Sequence, residues 1–402
     1  MRISTSTIFD LGVAGIQQQT SAMVKTQQQI ATGRRVLTPA DDPVASARVL
    51  ELSQSKALNQ QYDVNTDSAA SALGLEDVVL EGVTNLLLDV RTTVLSANNP
   101  LMNNTTLSGM ATSLRGRYEE LLGLANSADS NGQYMFSGFK GATQPFAQTA
   151  PGNVAYYGDQ GQRLIQITPT RQIAASDSGF DVFQQIRNGN GTFVTAADAT
   201  NTGTGLISAG SATTAFDGKS YQISFTSATT YDINQVNPTT GAVIATPVSG
   251  ATYASGNSIT VGGGELTITG APVSGDKFTV KPSSNESLFT TLNNFIVALE
   301  TANVPSNQTA LINSMNTAIS NLDNGLQRVL TVRASVGTRM QEIDAVKASG
   351  VDTGLQYDQT LSDLQDLDYA KAITDLTRQQ VGLEAAQKSF LKIQELSLFN
   401  FI

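Results

Sequence analysis

The chain contains no cysteine, no histidine and no tryptophan. Without cysteine it can form no disulfide, thiolate nucleophile or thiolate metal site. Without histidine the commonest general base and imidazole metal ligand are also missing. Charged residues make up 14% of the chain and aromatics 6%. The 24 Lys and Arg against 34 Asp and Glu leave a formal charge of −10. An acidic chain with no basic cluster is poorly suited to nucleic acid or to an anionic membrane surface. No apolar run reaches the ~18 residues of a membrane span. The opening MRISTSTIFDLGVAG has neither an apolar core nor a cleavage pattern, so a cleaved secretory signal is not expected.

What is present begins with length. A chain of 402 residues, 40% of it hydrophobic, can bury real cores and suggests two or three domains. Its strongest pattern lies between Ile312 and Ile343. Ile312, Met315, Ile319, Leu322, Leu326, Val329, Val336, Met340 and Ile343 recur at spacings of three and four, with Arg333 as the one polar position. Heptads kept in step this long predict a helix packed along its length, the core of a helical rod.

The N-terminal 42 residues also read as helix, with Phe9, Ile16, Met23, Ile30 and Leu37 seven apart. The alternate seam positions carry Val13, Thr20 and Gln27, so the stripe is half polar. Gly33 can end this helix, and Asp42 followed by Pro43 is a helix start, a capping carboxylate and then proline at the first position. A second helix should run to about Ser96, with Leu73, Leu80, Leu87 and Val94 on its stripe. Asn98–Pro100 reads as a turn, and a third helix follows to about Asp129 through Leu107, Met110, Leu114, Tyr118, Leu121 and Ala125. The second and third helices could form an antiparallel hairpin that receives the Ile312–Ile343 helix.

After Asn131-Gly132 period-two runs and glycine turns appear. Val154–Gly158 and Leu164–Thr168 read as a hairpin around Asp159–Gln162. Strands are expected near 219–226, 231–233, 242–245, 266–269 and 277–280, in a β sandwich or barrel-like domain over about 190–283. Gly262-Gly263-Gly264 reads as a strand turn, because no Lys-Ser or Lys-Thr follows to make a phosphate loop. Helix resumes near Ser284, through Leu288, Leu292, Phe295 and Leu299. Gly350 and Gly354 suggest a break after the long stripe, with a last helix from Leu355 to the end. There Tyr369, Leu376, Leu383 and Phe390 are seven apart, with Ala372, Gln379, Ala386 and Ile393 between them, a second half-polar seam.

The expected fold is therefore α+β and multidomain, a helical rod built from both halves of the chain around an inserted all-β domain. The expected divisions are terminal helices at 1–42 and 355–402, a rod at 43–189 and 284–354 with a small β part at about 134–189, and an outer β domain at 190–283. The terminal seams hold too few apolar positions to offset the ordering of their backbones. They are expected to be mobile in the free chain and to fold when chains assemble around them. The expected assembly interface is Phe9, Ile16, Met23, Ile30, Leu376, Leu383, Phe390, Ile393, Leu398 and Phe399. No catalytic, cofactor or metal residues are expected. Asp41-Asp42 could be imagined as paired carboxylates, but Pro43 favours the helix start.

Four stretches resemble a known family: MRISTSTIFD at the start, TGRRVLTPADDPVAS at 32–46, NGQYMFSGFK at 131–140 and the end LEAAQKSFLKIQELSLFNFI. They resemble flagellin and, more closely, the flagellar hook–filament junction family, hook-associated protein 3. SGDKFTVKPSSN at 274–285 is similar to the end of that family's β insertion. The resemblance implies a structural protein without catalysis. Its terminal helices would line the inner tube of the flagellum, with the rod outside them and the β domain outermost. Implied partners are further copies in a ring, hook-associated protein 1 below and flagellin above. Type III export without a cleaved signal is implied, as is an export chaperone on the C-terminal helix over Leu383, Phe390, Ile393, Leu398 and Phe399. A small flagellin is the nearest alternative, and a surface adhesin using the β domain is an alternative of another class.

Overall fold

The computed structural model describes residues 5–97, 99, 102–212, 214–304 and 307–398. Six α-helices carry most of the chain: α1 Thr5–Thr32, α2 Pro43–Ser96, α3 Asn104–Ala125, α4 Leu288–Glu300, α5 Gln308–Gln365 and α6 Tyr369–Leu398. Their ends follow local chemistry. Gly33, at φ 71°, stops α1. Asp42 Oδ1 accepts the Ala45 N–H at 2.9 Å ahead of Pro43 and starts α2. Asn103 and Ser287 cap α3 and α4 through the N–H groups of Thr106 and Thr290. The chain divides into two compact units, residues 1–64 with 345–402, and residues 65–344. Both α2 and α5 continue from one unit into the other.

In the 65–344 unit, α2 buries Leu73, Leu80, Val83, Leu87, Val90 and Val94. α3 runs antiparallel to it: Arg117 meets Asp89 at 2.8 Å, and the side chain of Leu124 closes on Gly82. α5 crosses the same helix in the opposite sense, with Arg91 on Asp323 at 2.6 Å and Arg333 on Asp77 at 2.9 Å. Arg333, the one polar residue of the heptad stripe, is thus, with Arg91, one of the cations that register α5 on α2. Phe146 joins this helical core to the small hairpins. Its ring meets Phe183 edge-on and packs at a tilt on Tyr156 and Phe289, at centroid distances of 5.4, 5.1 and 5.3 Å.

The heptad stripe of α5 is rotated by one residue from the expected one. Met315, Leu322, Val329, Val336 and Ile343 are buried. Ile312, Ile319, Leu326 and Met340 are half-buried, and Leu311, Ala318 and Val332 take their place in the core. The first half of α5 is covered on a second side, which explains the rotation. Asn313 Oδ1 accepts the Ile207 N–H at 3.0 Å, and Asn321 Oδ1 accepts the Gly189 N–H at 2.8 Å. At Gly325 the side chain of Leu288 reaches the helix backbone, where any Cβ would clash. These amides dock the β domain onto the helix.

That β domain has a five-stranded antiparallel sheet, in the order Val243–Thr252, Thr230–Val236, Ser220–Ser227, Lys277–Pro282 and Phe193–Ala197. A second sheet pairs Ser258–Val261 with Gly264–Thr269 and then Leu206–Ile207. Alternate residues of both sheets, among them Ile223, Phe225, Ile233, Ile268 and Phe278, close on one core. The Gly262-Gly263 pair turns the second hairpin with φ 57° and 91°, the left-handed pair that a two-residue hairpin turn demands.

Two expectations are corrected. Val154–Gly158 does not pair with Leu164–Thr168. Asn153–Tyr156 pairs back onto Phe146–Ala150, and Leu164–Thr168 pairs onward with Arg171–Ala174. The turns are Pro151-Gly152, with Gly152 at φ 82°, and Pro169-Thr170. Asp159 instead ties its own loop to the NGQYMFSGFK stretch, accepting the N–H groups of Phe139 at 2.9 Å and Gly161 at 2.8 Å. Nor does α5 break at Gly350 or Gly354; it runs on to Gln365. A helical glycine costs only ~1 kcal/mol relative to alanine. Here Gly350 gives Asn59 and Asp63 of α2 room, and Asn59 Nδ2 donates to the Gly350 carbonyl at 2.9 Å. The break falls at Asp366–Asp368, so the last helix begins at Tyr369 and not at Leu355.

Candidate assembly interface

The unit of residues 1–64 and 345–402 is organised by the pairing of α1 with α6. The two run antiparallel. Near their far ends Phe9 and Phe390 lie with ring centroids 5.1 Å apart, and at the near end the Tyr369 hydroxyl touches Gly33. Backbone bonds close the near end. Arg35 N–H reaches Gln365 O at 2.7 Å, and Leu367 N–H reaches Gly33 O at 3.0 Å. Glycine makes the approach possible. A Cβ on Gly12 would sit 2.7 Å from the Phe390 ring, and one on Gly382 would sit 2.6 Å from Gln19 Nε2.

Both half-polar seams are used in this pair. Ile16, Met23 and Ile30 of α1 are half-buried, as are Leu376, Leu383 and Phe390 of α6. Phe9 remains 46% exposed. The side chains of Ile393 and Leu398, and the whole of Phe399, lie outside the described residues. Each seam thus finds its first partner within the same chain. The heptad reading could show that each seam wanted a partner, but not which one.

The pair leaves a second set of apolar side chains outside. Leu11, Val24, Ile373, Val381 and Leu391 are between 43% and 67% exposed. The seam reading passed over them because each stands off the seven-residue repeat. The signal was available all the same: once two seams face each other, any other large apolar residue on those helices points outward. Among the described side chains of this unit, only Thr26, Ala45 and Ala372 are fully buried.

The turn between α1 and α2 is ordered by its two aspartates in separate roles. Asp41 Oδ2 accepts the N–H groups of Leu37 and Thr38 at 3.2 and 2.9 Å, while its Oδ1 meets Lys25 at 2.7 Å. The Lys25 hydrogen bond first, then that of Thr38, pulls the Asp41 carboxyl down to about 2. Asp42 caps α2 and lies 3.5 Å from Arg35. The two carboxylates do not form a catalytic pair. No cluster of three or more metal-ligating side chains occurs among the described residues, and no described helix is long and apolar enough to cross a membrane.

Paired terminal helices, a core of long helices and an intercalated β domain define the class of flagellin-like structural proteins. Residues 3–140 match the bacterial flagellin N-terminal helical region. The flagellar hook-associated protein 3 of Escherichia coli K12 is 26% identical over 402 residues, covering 100% of this chain and 99% of that protein. The crystal structure of the flagellar junction protein FlgL from Legionella pneumophila is similar, with a TM-score of 0.69 and 30% identity. That likeness covers 79% of this chain and 100% of the other. FlgL from Xanthomonas campestris gives a TM-score of 0.70 at 28% identity, over 77% of this chain and 99% of that one. The chain belongs to the flagellar hook-associated protein 3 family. It is a structural component of the bacterial flagellum, associated with other flagellar components.

Proposed function

We propose that this chain is the subunit that joins hook to filament, and that it assembles by packing its α1–α6 pair against the pairs of neighbouring copies. The observation that carries this reading is the sparse burial of that pair: its seam is closed internally, yet Leu11, Val24, Ile373, Val381 and Leu391 stay in water. Such a surface is stable in solution only as a marginal structure, and it gains burial when further helices cover it. The axial neighbours are hook-associated protein 1 on the hook side and flagellin on the filament side. The chain reaches that place by flagellar type III export without a cleaved signal, with a chaperone covering the C-terminal helix over Leu383, Phe390, Ile393, Leu398 and Phe399 before assembly. No catalytic step belongs to this role.

The test is deletion of the gene, followed by electron microscopy of the cells and immunoblotting of the medium for flagellin. The expected result is bare hooks with monomeric flagellin shed into the medium. Full-length filaments would remove the junction reading. Loss of filament with no flagellin in the medium would make the chain the filament subunit itself.

A further inference from the structure

Glu76 lies on α2 inside the 65–344 unit, 1% exposed. Its Oε1 accepts the Asp177 N–H at 3.0 Å, and its Oε2 is buried without a donor among the described residues. The Asp177 carboxylate lies beside it. Gln162 Nε2 donates to Asp177 Oδ1 at 2.8 Å, and Arg339 of α5 holds Oδ2. Arg339 also donates to the Ala174 carbonyl at 2.9 Å, so α2, α5 and the 174–178 segment meet at one point. The charged groups that act on Glu76 are Asp177 from the segment and Arg339 from α5. One guanidinium therefore faces two carboxyls in a largely buried site.

We propose that Glu76 is a proton-operated latch: as a neutral acid it fastens the 174–178 segment to α2, and loss of its proton releases that segment. The neutral form fits each contact. Oε1 accepts the Asp177 amide, and a protonated Oε2 supplies the donor that the adjacent Asp177 carboxylate can accept. The ionised form has no second donor, sits beside a like charge and shares one cation with it. Burial first, and then the Asp177 charge, push the Glu76 carboxyl up to about 8, against the pull of Arg339. A carboxyl raised on folding contributes stability that is fully present below its ordinary range near 4.5 and is lost as pH rises through about 8. The segment leads at once to Ser178, fully buried, whose hydroxyl donates to the Asp159 carbonyl at 2.9 Å and lies 3.1 Å from the Tyr156 hydroxyl. Release at Glu76 therefore loosens the link between α2 and the loops around the phenylalanine cluster.

The full chain tests this in two ways. Carbon NMR of the Glu76 carboxyl should titrate well above the ordinary carboxyl range, and Asp177→Asn should move that midpoint down. Thermal unfolding should show the midpoint of the natural chain falling by several degrees between about pH 6 and about pH 9.5. Glu76→Gln, which supplies a permanent donor without a charge, should flatten that fall and raise the midpoint at the alkaline end. A Glu76 carboxyl that titrates in the ordinary range overturns the proposal. So do pH profiles of the natural chain and Glu76→Gln that run parallel. The NMR arm needs no variant and stands if the substitutions fail to fold.

Discussion

α5 can be compared with itself. Between Leu311 and Ile343 it buries Leu311, Met315, Ala318, Leu322, Val329, Val332, Val336 and Ile343. From Ala345 to Gln365, in the other unit, none of its residues is buried. α2 repeats the contrast in the opposite order. Ala45 is its one buried residue before Val64, whereas Leu73, Leu80, Leu87 and Val94 are buried beyond it. The same two helices therefore serve a finished core in one unit and a thin two-layer seam in the other. Helix propensity does not separate these regions; the number of faces covered does. A helix covered on two sides holds its position within one chain, whereas a helix covered on one thin seam is material for an assembly.

Truncation should expose this contrast most sharply. Leu80→Ala or Leu322→Ala, in the finished core, should lower the unfolding free energy by about 2–5 kcal/mol in denaturant titration. Leu383→Ala, in the α1–α6 seam, should cost well under half of that in the monomer. Equal costs at the two places would dissolve the distinction between the units.

The outward residues should behave in the reverse way. Val381→Asp or Leu11→Asp should change monomer stability by about 0.5 kcal/mol or less, since surface sites tolerate change. Either substitution should nonetheless prevent filament growth, read as lost swarming on soft agar and bare hooks in electron micrographs. Normal motility in both variants would take these residues out of the interface.

Glycine pairs sharpen the geometry of the seam. A Cβ on Gly15 meets nothing within 4 Å, while one on Gly12 falls 2.7 Å from the Phe390 ring. Gly15→Ala should therefore stabilise α1 by up to about 1 kcal/mol through propensity alone. Gly12→Ala should lose that gain or reverse it, because the Phe9–Phe390 contact must shift. Near-ultraviolet circular dichroism together with helical content against temperature would distinguish the two.

The smallest effect is expected at the turn before α2. The Asp41 carboxyl is held down to about 2 by Lys25 and the Thr38 amide. Its contribution to order in the turn is present above its ordinary value of 3.8 and is lost as pH falls through about 2. Asp41→Asn should remove that acid-side loss, visible as a flatter profile of the Leu37 and Thr38 amide chemical shifts between about pH 4 and about pH 2.

Much of this architecture was legible in the residues. Asp42-Pro43 marks the start of α2 because capping and the fixed proline φ are local chemistry. Gly262-Gly263 marks a turn for the same reason. Five of the heptad positions of α5 lie in its core, while Asn313 and Asn321, which rotate the buried face, act on a partner distant in sequence. The hairpins at 146–174 are hard to assign from sequence because three polar residues and a glycine at Asp159–Gln162 look like a turn, when the binding capacity of Asp159 is spent on Phe139 and Gly161. Gly350 was misread because a glycine that admits a neighbouring helix and one that ends its own look alike in sequence. At the interface, the seams of α1 and α6 were legible as incomplete. Their mutual pairing was not, because the two helices lie at opposite ends of the chain; the outward set of Leu11, Val24, Ile373, Val381 and Leu391 follows from the sequence only once that pairing is known.

The most direct test of the central claim is amide hydrogen exchange on the dilute monomer, resolved by peptide. The account predicts fast exchange throughout residues 5–32 and 369–398, by at least about a hundredfold over residues 69–94 and 315–336. Protection of the α1–α6 pair equal to that of the core helices would contradict it, since such a pair would already be complete without neighbours.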